Sequence, residues 1–486
     1  MAAALRGVAD EMGAALVRAA HSANIKERRD CSTAVFDAGG RMIAQAEHIP
    51  VHLGAMPDAV AAVREHDPKP GDVYVLNDPY RGGTHLPDIT LVMRVDDLGF
   101  VVSRAHHADV GGMQPASMPA GATELLQEGV VIPPLRLTPD LVELLVANMR
   151  RPAERRADLR AQLACQEVGA RRLRELADAY GRRSLATGMD ELHAYAERRM
   201  RRSIGRLPDG RFRAADTVEG DGLHVHDVEI TVELAISGES LAVDFAGTAG
   251  QQPGNVNCPL PVTRSAVYYV ARCVCDPDLP ASGGAFAPVD VRAPAGSLVN
   301  ARPPAAVVAG NTETSSRIVD VVMQAFAGAV EAPAAGQGTM NNVTFGTPAW
   351  TYYETIGGGQ GGGPGGPGPD AVHVAMSNTL NTPIEALERD YPLRVERYAL
   401  RRRSGGAGRM PGGDGVIRLY RVLVDCRLGL MTDRRRHGPP GGAGGGPGAR
   451  GQNLLNGRRL PAKCSLDLRA GDLLEIRTPG GGGWGD

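Results

Sequence analysis

GDVYVLNDPYRGGTHLPDITLVMRVDDLGFVVSRAHHADVGG, residues 71–112, carries the reading of the fold. GDVYVLND and DITLVMRV are rich in β-branched residues and bounded by turn formers, so each predicts a strand. FVVSRAHHADVGG predicts a third strand that runs into a Gly-Gly turn. The imidazoles and carboxylates of the stretch fall at the strand ends and in the loops, where a rigid sheet presents ligands. His85 and Asp88 stand three residues apart in a Thr-His-Leu-Pro-Asp loop whose proline stiffens the backbone, so both side chains can converge on one ion. His106, His107 and Asp109 form a second cluster on the next strand. Alternation puts His107 and Asp109 on one face and His106 on the other, so one of the two histidines is expected to be a ligand, and the spacing leaves open which.

Outward from this stretch, residues 3–20 place Leu5, Val8, Met12, Leu16 and Ala19 near helical spacing, and Asn24 breaks the pattern. STAVFDAGGRMIAQA reads as a hairpin turning at Asp-Ala-Gly-Gly. Residues 139–205 carry period-3.6 apolar positions with abundant Arg and Glu, which predicts two or three helices with a solvated Arg-rich face. Alternating strand-like runs return from about residue 215, with a hairpin turn at Ser237-Gly238. GGGQGGGPGGPGP (357–369) and PPGGAGGGPGARG (439–451) read as flexible low-complexity loops. The expected fold is a large mixed α+β body, strand-rich with a helical segment near 139–205. Its expected units are 1–135 carrying the metal site, 136–210 helical, 211–385 mixed, and 386–486 glycine-rich and β-rich.

A chain of 486 residues exceeds what one core usually organises. Its 63 glycines and 35 prolines demand many turns, while 43% hydrophobic and 22% charged residues are ordinary for a soluble fold. A net charge of -2 without Lys/Arg blocks gives no footprint for nucleic acid or an anionic membrane. No apolar run reaches the roughly 20 residues of a membrane span, and MAAALRGVADEMG lacks a signal-peptide apolar region, so a cytoplasmic protein is expected. The seven cysteines are scattered, without CxxC, and suggest neither a disulfide framework nor a zinc ribbon. No GxxxxGK[ST] string follows a strand, so the chain offers no ATP site of its own.

Imidazole and carboxylate donors without thiolate suit Mn²⁺, Fe²⁺ or Zn²⁺. Asp30, in the ERRD run before a strand, is a further candidate ligand, and His107 or Asp109 is placed to move a proton. Asn255, Asn257, Asn311, Thr312, Glu313, Gln337, Asn341, Asn342 and Glu354 stand in glycine-rich loops as secondary candidates, as do Glu47, His48 and His52. A loop-stabilising role is the ordinary alternative for each.

The run SANIKERRDCSTAVFDAGGRMIAQAEHIPVHLGAMP resembles the N-terminal signature of the hydantoinase B/oxoprolinase family. NDPYRGGTHLPDIT and AHHADVGGMQPASMP are similar to its two central motifs. Further similarity runs through VDFAGTAGQQPGNVNCPLPVTRSAVYY, PPAAVVAGNTETSSRIVDVV, AAGQGTMNN, YYETIGGG, SNTLNTPIEALERDYPLRVERYALR and TPGGGGWG, covering almost the whole chain. The resemblance implies the B-type subunit of an ATP-dependent cyclic-amide hydrolase of the N-methylhydantoinase or 5-oxoprolinase kind. In such systems ATP is held by an A-type subunit, which activates the substrate, and the B-type subunit holds a metal and completes the reaction, giving a hetero-oligomer. Carried onto this sequence, the implied metal ligands are Asp30, His85, Asp88 and one of His106 and His107, with Asp109 as ligand or supporting group. Two other readings stand beside it: a subunit of an acetone- or acetophenone-type carboxylase, and a scaffold for the A-type subunit. One departure from the family pattern is Met410-Pro411 in SGGAGRMPGGDG, where a Tyr/Phe-Arg pair is expected. That loop is read as facing a different substrate or partner.

Overall fold

The computed structural model describes residues 1–46 and 49–486. Helix α1 (Ala2–Ala19) buries Leu5, Val8, Met12 and Leu16 along one stripe, and a short α2 (Ala23–Lys26) follows. Strands β1 (Cys31–Asp37) and β2 (Met42–Ala46) form the hairpin read from the sequence, with Gly40 at φ +80° in its turn. After α3 (Met56–Arg64) come β3 (Val73–Leu76), β4 (Asp88–Val95), β5 (Gly99–His106) and the short β6 (Leu135–Arg136). The six strands make one antiparallel sheet in the order β2-β1-β5-β4-β3-β6.

Both faces of this sheet are covered. Ala34, Phe36, Val92, Phe100 and Val102 join one apolar cluster with Val60 and Val63 of α3. Val35, Met93, Val95 and Val101, one residue out of phase, join another with Leu5 and Met12 of α1. That period-two split explains why the strands read as near-continuous apolar runs.

Helices α4 (Pro139–Ala147), α5 (Pro152–Tyr180) and α6 (Arg182–Ile204) occupy the predicted helical segment. The expectation of a solvated Arg-rich face holds for Arg171, which is exposed, and fails for the turns that touch the sheet. There α5 buries Arg155, Asp158, Gln162 and Gln166. Gln162 Nε2 and Gln166 Nε2 donate to the carbonyls of Ile89 and Leu91 at 3.1 and 2.8 Å, and Asp158 Oδ1 accepts from the amides of His21 and Ser22. Polar groups can enter such a core because each finds a partner there.

A second sheet is built from β7 (Gly210–Glu219), β8 (Asp227–Ser237), β9 (Ser240–Asp244) and β10 (Val289–Arg292), in the order β10-β9-β8-β7. Val228, Ile230, Val232, Leu234 and Ile236 of β8 point one way into the core shared with α7 (Leu260–Cys275) and α8 (Ser315–Phe326). The remaining strands are β11 (Asn342–Thr347), β12 (Trp350–Glu354), β13 (Leu393–Arg401), β14 (Gly415–Val422), β15 (Cys426–Met431), β16 (Gln452–Leu455), β17 (Arg458–Arg459), β18 (Lys463–Leu468) and β19 (Leu473–Arg477), with α9 (Ile384–Asp390) before β13. They form sheets β12-β11-β15-β18 and β13-β14-β19-β16-β17, which share a cluster including Phe345, Tyr420, Leu428 and Ile476. Among the described residues no helix is long and apolar enough to cross a membrane.

The glycine-rich segments differ from the flexible loops expected of them. Backbone bonds tie them together: Gly362 N donates to Gly482 O at 2.9 Å, Gly406 N to Gly481 O at 2.8 Å and Gly442 N to Gly483 O at 2.9 Å. A Cβ on Gly481 would lie 2.0 Å from the carbonyl oxygen of Gln360. Glycine here permits main chain to pack on main chain, a use of the residue that composition cannot tell from flexibility. The 404–415 loop belongs to this assembly, since Met410 N donates to Trp484 O and Trp484 N to Met410 O.

One buried acid makes the fold sensitive to pH. Glu128 Oε1 accepts from the amides of Val307 and Val308, both at 2.9 Å, while Oε2 has no partner among the described residues. Burial pushes its carboxyl up to about 8, against the pull of those two amides. The folded state therefore favours the proton, and stability present below the unfolded value of about 4.3 is lost as pH rises through 8. Glu128→Gln is expected to melt higher than the parent at pH 9, by on the order of 2 kcal/mol, and to converge with it near pH 4.5. Thermal melts across that range check this.

Candidate metal centre

The antiparallel register of the first sheet places Asp88, the first residue of β4, directly opposite His106, the last of β5. On the other side of β5, Cys31 pairs with Ala105 and the His106 amide donates to the Asp30 carbonyl at 3.0 Å. Asp30, just before β1, thus falls in one row with His106 on β5 and Asp88 on β4. His85 enters from the loop before β4, where the Asp88 amide donates to the His85 carbonyl at 3.0 Å. That loop is pinned by Asn77, whose Nδ2 donates to Leu86 O at 2.8 Å, and by Gly82-Gly83. Gly82 has φ +95°, and a Cβ on Gly83 would lie 2.2 Å from Asn77 O.

The result is a triangle of donors. His85 Nε2 is 3.1 Å from Asp88 Oδ1, His106 Nδ1 is 3.2 Å from the same oxygen, and the two nitrogens are 3.2 Å apart. Ligands bonded at roughly 2.0–2.1 Å with tetrahedral or octahedral angles stand roughly 3.0–3.4 Å apart, so these edges match coordination of one ion. Hydrogen bonding alone satisfies the triangle only with a mixed set of ring tautomers, whereas a divalent ion takes all three lone pairs at once. All three residues are buried. The second oxygen of Asp88 accepts from Thr84 Oγ1 at 2.5 Å and has His52 Nε2 nearby at 3.4 Å, while His52 Nδ1 is fixed by Ser32 Oγ at 3.0 Å. Burial would raise the Asp88 carboxyl, but His85, His106 and His52 outweigh it and hold it well below the usual carboxylate range. Burial lowers the His106 imidazole, which leaves the ring neutral with a lone pair for a metal. Its outer nitrogen and that of His85 have no hydrogen-bond partner among the described residues, and the His106 ring stacks on Tyr353 at 4.7 Å and 18°.

Of the five residues read as ligands, His85, Asp88 and His106 come together, and Asp30 lines the same narrow cavity beside His52, Asn311, Tyr353 and Ser377. His107 is not brought there. Its Nε2 meets Gln162 Oε1 at 2.8 Å on the helix side of the sheet, and burial lowers its pKa to about 4. Asp109 is also elsewhere: its oxygens accept from the amides of Gly111, Ala116 and Arg150 and from the Arg150 guanidinium at 2.9–3.0 Å. Four donors leave it no free lone pair for proton transfer. The strand expected to run on through His107 and Asp109 ends at His106, and of the two histidines His106 is the one that lies beside His85 and Asp88.

Of the secondary candidates, Asn311 and Thr312 reach the cavity. Glu313 stands behind it, joined by Asn342 Nδ2 at 2.8 Å, and Asn342 Oδ1 accepts from the Tyr353 hydroxyl at 2.8 Å. Glu354 pairs with Arg418 at 3.1 Å, while Asn255, Asn257, Gln337 and Asn341 bond to loop carbonyls or to one another. Glu47 and His48 lie outside the described residues. Tyr353 and Ser377 stand in YYETIGGG and SNTLNTPIEALERDYPLRVERYALR, stretches singled out in the sequence only for their family similarity, since nothing local marks either residue as a neighbour of His106.

The whole chain, residues 1–486, matches the family described as hydantoinase B/oxoprolinase. The chain belongs to that family. It is 39% identical to 5-oxoprolinase 1 of Arabidopsis thaliana over 99% of its own length, spanning 41% of that relative. It is 31% identical to a protein of Pseudomonas sp. (strain NS671) named as the B-type subunit of a D-/L-hydantoinase, over 99% of this chain and 88% of that one. In the solved structures it resembles the ATP-dependent caprolactamase from Pseudomonas jessenii, with a TM-score of 0.92 and 28% identity, over 100% of this chain and 90% of the other. The mixed α+β fold is thus that of this hydantoinase B/oxoprolinase group.

If the triangle holds the ion, His85→Ala, Asp88→Ala and His106→Ala each lower metal affinity about 100-fold or more, while His107→Ala keeps full metal content. The last variant instead melts lower, by about 1–3 kcal/mol, because Gln162 loses its buried partner. Elemental analysis of dialysed protein, paired with thermal melts, separates the two groups.

Proposed function

We propose that this chain is the metal-holding B-type subunit of an ATP-dependent cyclic-amide hydrolase, acting on a substrate activated by a separate A-type subunit. The observation that carries the reading is the buried His85–Asp88–His106 triangle at the end of a rigid sheet, open to a polar cavity. Support comes from the relatives, one named as a B-type hydantoinase subunit, one as a 5-oxoprolinase and one as an ATP-dependent caprolactamase. The sequence also lacks a phosphate-binding loop, which fits ATP being held by another chain.

An unstrained amide resists water because nitrogen donation makes its carbonyl a poor electrophile. Phosphorylation of the amide oxygen at the expense of ATP removes that donation and supplies a leaving group. His85, Asp88 and His106 would hold a divalent ion, Mn²⁺, Fe²⁺ or Zn²⁺, with Asp30 facing it across the cavity. Such an ion supplies Lewis acidity, which eases loss of a proton from water and steadies negative charge on oxygen. His52 and Thr84 keep the Asp88 carboxylate aimed and ionised. Asn311 Oδ1, buried without a partner among the described residues, offers an acceptor for a ring N–H. Ile49, Val51, Met340 and Met376 line the rest and keep bulk water out.

The test is co-expression with the A-type subunit, assaying ATP-dependent ring opening of hydantoins, 5-oxoproline and lactams, with and without bicarbonate. Ring opening by the complex is expected for at least one cyclic amide without need of bicarbonate, and no ATP hydrolysis by the isolated chain. Turnover that requires bicarbonate and consumes a ketone would assign the carboxylase chemistry instead. ATP hydrolysis by this chain alone would end the two-subunit reading.

A further inference from the structure

A hydrolase that opens a ring must give the departing nitrogen a proton, and the metal triangle cannot do it, because an ion would take the lone pairs of both its imidazoles. His107 and Asp109 are occupied elsewhere. Across the cavity from β4 and β5, the segment after residue 370 supplies a different pair. Ser377 lines the cavity, and its Oγ is 2.6 Å from His373 Nδ1. This is among the shorter side-chain hydrogen bonds at the site, and it joins a cavity-facing hydroxyl to an imidazole that does not itself line the cavity. The Ser377 amide donates to Val374 O at 3.1 Å, which closes a turn, and Ala375 inside that turn has φ +54°, a strained value for alanine.

We propose that Ser377 is a catalytic hydroxyl of this site and that His373 acts through it as the store of the proton. The proposal rests on the cyclic-amide reading above for its substrate, though not for its chemistry. As water adds its hydroxyl to the carbonyl carbon, the proton it loses passes to Ser377 Oγ while the Oγ proton moves to the neutral His373 Nδ1. As the C–N bond breaks, the ring nitrogen takes a proton from Ser377 Oγ and the His373 imidazolium returns its own to Oγ, so the pair ends as it began and the net change is water added across the bond. Burial and the nearby Arg28 guanidinium lower His373 to about 4, with Glu354 and Asn381 opposing, so the resting ring is neutral. Its Nε2 is sealed from solvent. A hydroxyl backed by a neutral imidazole is the arrangement that makes serine reactive wherever it occurs, whatever the order of the residues in the chain.

The consequence can be read without substrate, partner or ATP. Methanesulfonyl fluoride, applied to the full chain carrying its ion, is expected to sulfonylate Ser377. Oγ bonds to sulfur, fluoride leaves, and His373 takes the proton. Peptide mass spectrometry should find one adduct on the peptide containing Ser377, absent in Ser377→Ala. His373→Gln should slow labelling about 100-fold or more with metal content and melting temperature unchanged. The parent rate should be flat between about pH 6 and pH 9, since the ring is neutral throughout. The His373→Gln rate should climb with pH as hydroxide takes over. Absence of label on Ser377, or equal rates and pH profiles in parent and His373→Gln, overturns the proposal. Labelling as described in a chain whose complex opens no ring would leave the serine assignment standing and remove the cyclic-amide reading alone.

Discussion

Register in one antiparallel sheet governs this site. The side-chain period of a strand is two, so a slip of one residue between β4 and β5 would turn His106 to the helix face and bring His107 to Asp88. The register is held by burial on both faces: Phe36, Val92, Phe100 and Val102 fit one apolar layer, and Val35, Met93 and Val101 the other. Neither set tolerates exchange with the other without placing Arg104 and Ser103 in the wrong layer. Buried polar bonds add direction to this packing. Arg104 donates to Thr90 Oγ1 and to Gly82 O, both at 2.7 Å, so the strand that carries His106 also ties down the loop that carries His85.

From that register the chemistry follows in layers. Asp88 and His106 are cross-strand neighbours, His85 folds back over them because Pro87 and the two glycines fix its loop, and Asp30 immediately precedes the adjacent strand β1. Outside the triangle, Thr84 takes the free oxygen of Asp88 with His52 beside it, and Tyr353 packs on the His106 ring. The far wall comes from elements more than 200 residues away, Asn311 and Thr312 before α8 and Ser377 before α9. A metal site on strand ends and polar groups on distant loops are a common division of labour, because rigid strands set ligand geometry while loops shape the space for substrate.

How much of this the sequence reveals depends on range. The strands around 73–106, the hairpin turning at residues 37–40 and the helices of 139–205 are legible because hydrophobic period and turn chemistry are local. His85, Asp88 and His106 were legible as candidates for the same reason. Their separation from His107 was legible only as a choice of one of two, because alternation was applied to a strand running on through Asp109, whereas β5 ends at His106. The neighbourhood of Asp30 and His106 depends on β5 pairing with β1 as well as β4, a non-local fact, and Ser377 and His373 meet the site only through tertiary packing. Asp109 looked catalytic because an Asp beside two histidines usually invites that reading, but Arg150, 41 residues on, consumes it. The glycine-rich segments read as flexible because glycine frees an isolated chain, while here it lets four main-chain segments pack in contact.

The central claim, that two imidazoles and carboxylate oxygen at the ends of β4 and β5 hold one divalent ion, is tested most directly by X-ray absorption at the edge of the metal that copurifies with the chain. The expected fine structure is a nitrogen and oxygen shell near 2.0–2.1 Å with multiple scattering from two imidazoles, lost on His106→Ala and kept on His107→Ala. A sulfur shell, or a spectrum unchanged by His106→Ala, would place the ion elsewhere and contradict the account.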